Sequence, residues 1–390
     1  MFRAFLLLLL AALPSAACIW DRDTLREEAK GKLDTVGAIT GWFDRYPPKY
    51  YEMRLERVIR ELAGRPDALD LYDDAGVACS RLGRHDESIA WMAKKKEILD
   101  SRPAEETKEE RYRYLSNLGT FHLLRWASRA EEARFDELSE LEASESLIAR
   151  ALELNPGAHF GREKFQLMLI RWLLETSSPE TVGHPNFLGL WQNHWSAPNP
   201  GSESEGFTLR EAREGISGLI QLGAAWESID SFHTLQLCLH ADRMMPLSHL
   251  AHLRMNELYE RGGRSLHPVQ EIRDQVVPEG SDGFRDRAQV EAFYRKARQA
   301  AIKRETEWLA YQEKRFGLGM HPDTHADFWK DWREPEFPKM PGPSLLLLAE
   351  RNPGTALLVF CGATVLGIAG LVATFKRIKA RFSRRKEAQA

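Results

Sequence analysis

Residues 354–375 read Gly-Thr-Ala-Leu-Leu-Val-Phe-Cys-Gly-Ala-Thr-Val-Leu-Gly-Ile-Ala-Gly-Leu-Val-Ala-Thr-Phe, with no ionisable side chain apart from Cys361. As an α-helix this run is about 33 Å long, enough to cross a ~30 Å hydrocarbon layer. Lys376-Arg-Ile-Lys-Ala-Arg-Phe-Ser-Arg-Arg-Lys386 follows at once. Basic residues in a short flank stay cytoplasmic, so the tail 376–390 is expected inside and the bulk of the chain outside. The N-terminus agrees. Met1-Phe-Arg3, the apolar run Ala4 to Leu13 and the small residues Ser15-Ala16-Ala17 have the three-part layout of a secretory signal over residues 1–17. Cys18 stands directly after it, where a lipidated cysteine is the alternative, although Ser15 replaces the Leu that such sites usually carry.

The whole chain carries a net charge of −3. The tail contributes seven Lys/Arg against one Glu, and Arg3 adds one more positive charge, so the exported part stands near −10. An acidic body argues against nucleic acid as a partner. The basic tail suits anionic lipid headgroups as well as topology. Of four cysteines, Cys79 and Cys238 lie in apolar helical patterns. Two buried thiols are expected there, with a single bridge as the alternative.

Strand signals are nearly absent from the exported part, whereas helical periodicity is frequent. In residues 50–62 the apolar positions Tyr51, Leu55, Val58, Ile59 and Leu62 share one face, and Arg65-Pro-Asp67 breaks the run. Helices are expected over 68–82 and 87–99, separated by Gly83-Arg-His-Asp86, and again over 160–175. The stretch 176–208, with Pro179, Pro185, Pro198 and Pro200, is expected to be an irregular linker. A second helical region spans 209–332. It ends in a long helix over 284–316, with Val290, Tyr294, Ala297, Ala301 and Trp308 on one face. Pro335, Pro338, Pro341 and Pro343 crowd a spacer over 333–353 before the membrane run.

Residues 71–99 resemble a tetratricopeptide repeat. Tyr72 takes the aromatic position, Gly76 the small crossing position, Gly83 the turn and Ser88 the second small position. Cys79 and Lys95 depart from the pattern. A second copy is split: Leu115-Ser-Asn-Leu-Gly119 matches its start, and Ser144, Ile148, Ala151 and Pro156 match its end. The resemblance implies an all-α fold, an α-solenoid of helical hairpins over 18–175 with diverged hairpins beyond. It also implies protein or peptide ligands on a concave first-helix face that includes Asp73, Val77, Ser80, Ser116, Thr120 and Leu123. The family's carboxylate clamp uses Lys and Asn there. Asp73 has the opposite sign, so that clamp is not expected.

Chemistry is sparse. No GxSxG, GxxxxGK[ST] or GxGxxG motif occurs, and no catalytic, cofactor or metal residue is assigned. His233, Cys238, His240, His249 and His252 are the richest cluster, and a metal-dependent enzyme or metal-binding factor built on them is the alternative to a non-enzymatic scaffold. His321-Pro-Asp-Thr-His325 is expected to be a plain loop, and Trp191 and Trp195 to pin the linker. A third reading is a structural envelope component whose membrane helix associates through Ala363 and Gly367.

Overall fold

The computed structural model describes residues 19–29, 33–157, 161–175, 186–190, 206–275 and 286–342. The signal segment, the paired tryptophans Trp191 and Trp195, the apolar run 354–375 and the basic tail lie outside the described residues. Among the described residues no helix is long and apolar enough to cross a membrane. The chain divides into two compact units, Met1–Asp282 with Val290–Pro338, and Gly283–Gln289 with Lys339–Ala390. The second contributes only 286–289 and 339–342 to the described residues, and the account below concerns the first.

The described residues are all-α. Thirteen α-helices run in order: α1 Arg22–Ala29, α2 Thr35–Thr40, α3 Pro48–Gly64, α4 Leu69–Arg81, α5 His85–Asp100, α6 Lys108–Ala127, α7 Ser139–Leu154, α8 Arg162–Leu174, α9 Leu209–Gln221, α10 Ile229–Ala241, α11 Met245–Glu260, α12 Gln270–Gln275 and α13 Arg287–Phe316. The sequence explains their ends. Pro48 opens α3, where its missing N–H costs no bond. Thr208 and Glu211 form a reciprocal capping box on α9, and Ser228 accepts the Ser231 amide to start α10. Gly41 and Gly83 close their turns at φ 79° and 73°, a region costly for any side chain.

From α3 to α11 each helix packs on the next, and α4 also touches α6. Small residues set the close crossings. A Cβ on Gly76 would stand 2.9 Å from Phe121 of α6 and 3.0 Å from Met92 of α5, and one on Gly119 would stand 2.9 Å from Ile148 of α7. Cys79 and Cys238 are buried free thiols, as the apolar patterning implied.

Helix α13 starts at Arg287 and ends at Phe316, one residue before Gly317. Val290, Tyr294, Ala297, Ala301 and Trp308, the face read from periodicity, are all buried. It braces loops as much as helices: Trp308 Nε1 donates to the Arg45 carbonyl at 2.9 Å, and Arg298 reaches the Thr40 carbonyl at 2.6 Å. The chain then turns back, and Phe328 joins Phe316, Tyr50, Leu55 and Leu71 in one core.

Candidate binding groove and its N-terminal strap

The resemblance placed a ligand on α4 and α6. Residues 19–24 lie across these helices. Trp20 is the anchor, 1% exposed. Its backbone is held on both sides by one amide: Trp20 N–H donates to Asn117 Oδ1 at 2.8 Å, and Asn117 Nδ2 donates to the Trp20 carbonyl at 3.0 Å. The indole N–H donates to Ser116 Oγ at 2.9 Å and Glu163 Oε1 at 3.0 Å. Tyr112 meets the ring edge-on at 5.9 Å, and the Arg162 guanidinium lies over its face at 4.9 Å. One bidentate Asn and one sunken aromatic ring thus fix this segment on the helices.

Asp21 caps the next turn. Its Oδ1 accepts the amides of Asp23 and Thr24 at 3.1 and 3.0 Å, starting α1. Its other oxygen belongs to a buried charge network centred on Arg54, which is fully buried. Arg54 meets Asp21 at 2.9 Å, Asp23 at 2.8 Å and Asp323 at 2.8 Å, and also donates to the Tyr50 hydroxyl. Tyr50 in turn donates to Asp23 at 2.5 Å. Arg57 reaches Asp323 at 2.9 Å, and Arg22 donates to Asp74 at 2.6 Å. Arg26 meets Asp23 at 2.7 Å, so four carboxylates face four guanidiniums.

Asp21 is the carboxylate this network stabilises least. Burial, with Asp23 beside it, pushes its carboxyl up to about 6 against the pull of Arg54. Burial opposes ionisation of Asp23 too, but Arg54, Arg26 and the Tyr50 hydroxyl hold it below the usual range. Burial likewise opposes Asp323, yet Arg54, His321 and Arg22 hold it far down. His321 itself is lowered to about 4 by burial, and its Nε2 lies 3.0 Å from the Tyr50 carbonyl. The His321–His325 segment, expected to be a plain loop, therefore supplies the acceptor that pins α3 to the strap.

Beyond α1 the strap continues. Asp34 caps α2 through the Val36 amide at 3.0 Å, and α2 packs on α9 and α11. Residues 42–46 then pass α13.

The six expected groove positions are all buried. Asp73 accepts from Lys95 at 2.6 Å and from Asn117 at 3.1 Å. Ser116 holds the Trp20 indole, and Thr120 accepts from Gln166 at 3.0 Å. Val77 and Leu123 are core, and the buried Ser80 hydroxyl has no partner among the described residues. Asp73, expected on the ligand-facing side, is therefore half of an internal ion pair. Lys95, which broke the repeat pattern, is its fully buried cation and also meets Glu110 at 2.7 Å. A lysine at a small-residue position was the one sequence signal of a buried cation.

In the histidine cluster His249 and His252 stack with ring centroids 5.8 Å apart, and the polar atoms go to separate contacts. His249 Nε2 lies 3.4 Å from Glu291, His252 Nε2 lies 3.2 Å from Asn256 Nδ2, and Cys238 Sγ lies 3.3 Å from the Leu209 carbonyl. Among the described residues no three His, Cys, Asp or Glu side chains converge as a metal ion requires.

One sizeable space remains open beside the strap. A cavity of about 720 Å³ is bounded by residues 42–46, the α9–α10 loop with Leu222 and Trp226, and Trp308, Trp329 and Trp332. No protein-family model matches this chain, no curated protein is significantly similar to it, and no solved structure matches its fold.

Proposed function

We propose that the chain is a non-enzymatic scaffold, a tetratricopeptide-like α-solenoid held outside the cytoplasm by the helix 354–375, that engages a protein or peptide partner. The observation that carries this is the grip of Asn117 and Ser116 on Trp20. Asn117 of α6 holds the main chain of Trp20, Ser116 of α6 holds its ring, and Asp74 of α4 accepts the Arg22 amide. Side chains on these helices thus bind a segment, non-helical at Trp20, that enters from outside them. The head-to-tail packing of α3 through α11 supports the solenoid reading, because each hairpin leaves an apolar face for the next to cover. In this reading the strap is a permanent lining. The partner meets its outer side, where Arg26 is exposed, and not the six buried positions.

The test uses the intact protein in its membrane with a photocrosslinking residue at Arg26, or at Glu97 on the exposed face of α5. A discrete protein adduct from position 26 and none from 97 is the expected result. Adducts of equal yield at both positions, or none at either, remove the scaffold reading. A reporter fused after Ala390 is expected inside the cell, and an external signal overturns the topology.

A further inference from the structure

We propose that the cavity beside the strap is a binding site for a small ring-bearing oxyanion, an organic carboxylate or phosphate, received between Arg81, Arg45 and the Tyr51 hydroxyl.

Most charges in the cavity wall are already paired. Asp44 and Glu334 close on Arg304, at 2.6 Å for Asp44 and 2.5 Å for Glu334. Asp21 and Asp23 close on Arg54, and Arg26 on Asp23 at 2.7 Å. Arg81 is different. It donates to the backbone carbonyls of Leu222 and Gly223, at 3.4 and 3.0 Å, and meets no carboxylate among the described residues. Its guanidinium lies 4.8 Å from the Trp226 ring, and Arg45 lies 5.0 Å from the same ring. Arg45 has one carboxylate, Glu305 at 3.3 Å, which does not line the cavity, and its buried Nε has no partner. Burial pulls the Arg45 guanidinium below its usual value, and Arg298 and Arg81 add to the pull against Glu305 and Glu227. Two cations therefore share one tryptophan with a single carboxylate between them.

Tyr51 supplies a neutral donor. It is 8% exposed, lines the same cavity and donates its hydroxyl to nothing among the described residues. The hydroxyl opens onto the cavity and is free to donate to an acceptor that enters. Guanidinium groups match carboxylate and phosphate oxygens in planar pairs. The rest of the wall is aromatic: Trp42, Phe43, Trp308 and Trp332 surround space of the size that small-molecule sites usually have. The ligand therefore carries a ring beside its charged group. The wall also carries Asp21, Asp23, Asp44 and Glu334, each closed on an arginine, and Glu27, so the anion is received at the Arg81–Arg45 corner and not along the rest of the wall.

Calorimetric titration of the intact protein in detergent tests this with four probes: phenylacetate, phenyl phosphate, inorganic phosphate and benzyl alcohol. One of the two ring-bearing anions is expected to bind at least about tenfold tighter than inorganic phosphate and benzyl alcohol, a gap of about 1.4 kcal/mol. Which one wins separates a carboxylate source from a phosphate source. Arg81→Gln is expected to weaken the winner at least about tenfold, and Tyr51→Phe about threefold. Arg81 also ties down the α9–α10 loop, so circular dichroism accompanies that variant, while Tyr51→Phe removes only an unpartnered hydroxyl. Equal binding of benzyl alcohol overturns the proposal, as does no binding at millimolar concentration. So does unchanged affinity in a folded Arg81→Gln protein or in Tyr51→Phe. The scaffold reading is scored separately by crosslinking at position 26, so either can fail alone.

Discussion

Hairpins α4–α5 and α10–α11 share helix lengths and turn bonding and almost no residue. Each pairs a 13-residue helix with a 16-residue one across a three-residue turn. The turn bonds correspond one for one. Leu82, Gly83 and Arg84 donate to Ala78, Ser80 and Cys79, as Asp242, Arg243 and Met244 donate to Cys238, His240 and Leu239. Gly83 and Arg243 both take positive φ, 73° and 56°. Yet Gly76 in the first hairpin corresponds to the half-buried Gln236 in the second, and the buried pair Asp73–Lys95 corresponds to His233 and Met255. Helix length and turn bonding fix the geometry. The residues that make a repeat recognisable are only one way of filling it.

Each difference between the hairpins can be exchanged, and the largest effect is expected at Lys95. Lys95→Met copies Met255 into the first hairpin but leaves Asp73 buried without its cation, so a loss of about 3–5 kcal/mol in chemical denaturation is expected. Removing the acid as well, with Asp73→Val in the same chain, is expected to restore most of it, since the second hairpin does without the pair. A double variant no more stable than Lys95→Met breaks the correspondence.

Next comes the crossing. Gly76→Ala places a Cβ 2.9 Å from Phe121, a ring held in the core, and a net loss of about 1–3 kcal/mol is expected even though Ala favours the helix. Gln236→Ala is expected to stay within about 0.5 kcal/mol. The turns come third. Gly83→Ala meets no atom within 4 Å but must hold φ 73°, a cost of about 1–2 kcal/mol. Arg243→Gly relieves the same strain and is expected to stabilise by up to about 1 kcal/mol. Melting temperatures that move the same way in Gly83→Ala and Arg243→Gly would show that the two turns are not equivalent.

This contrast also shows how much was legible from the sequence. Helices α3 to α8 and α13 follow from periodicity and from Gly and Pro punctuation, because those signals act over a few residues. Asp242-Arg-Met-Met-Pro246 marks the second turn only weakly, since Arg243 bears a strain that Gly83 avoids. The strap was not legible. Trp20 and Asn117 are 97 positions apart, and Arg54 and Asp323 are 269 apart, so no local pattern joins them. Nor did the sequence show that Asp73 faces inward, because an acid on the first-helix face reads the same whether its partner is solvent or a lysine 22 positions on.

The subtlest separation between the hairpins is in pH. Burial pushes the Asp73 carboxyl up to about 6, with Glu110 adding to it and Lys95 opposing. The folded chain then holds this proton more tightly than the unfolded chain does, so the stability it contributes is full below pH 4 and is lost as pH rises through about 6. The whole protein hides this. Asp21 and Asp230 are also raised to about 6, while His321 and His267, lowered to about 4, gain stability over nearly the same interval. A difference measurement isolates it. Asn at position 73 resembles the protonated acid and does not titrate, so Asp73→Asn is expected to gain on the wild-type chain by about 2–3 kcal/mol between pH 4 and pH 7. Lys95→Met moves that interval to higher pH, because the charge opposing burial is gone. A constant difference between Asp73→Asn and wild type across the range would mean that Lys95 keeps Asp73 ionised throughout. The first hairpin would then differ from the second by a permanent charge pair and not by a proton.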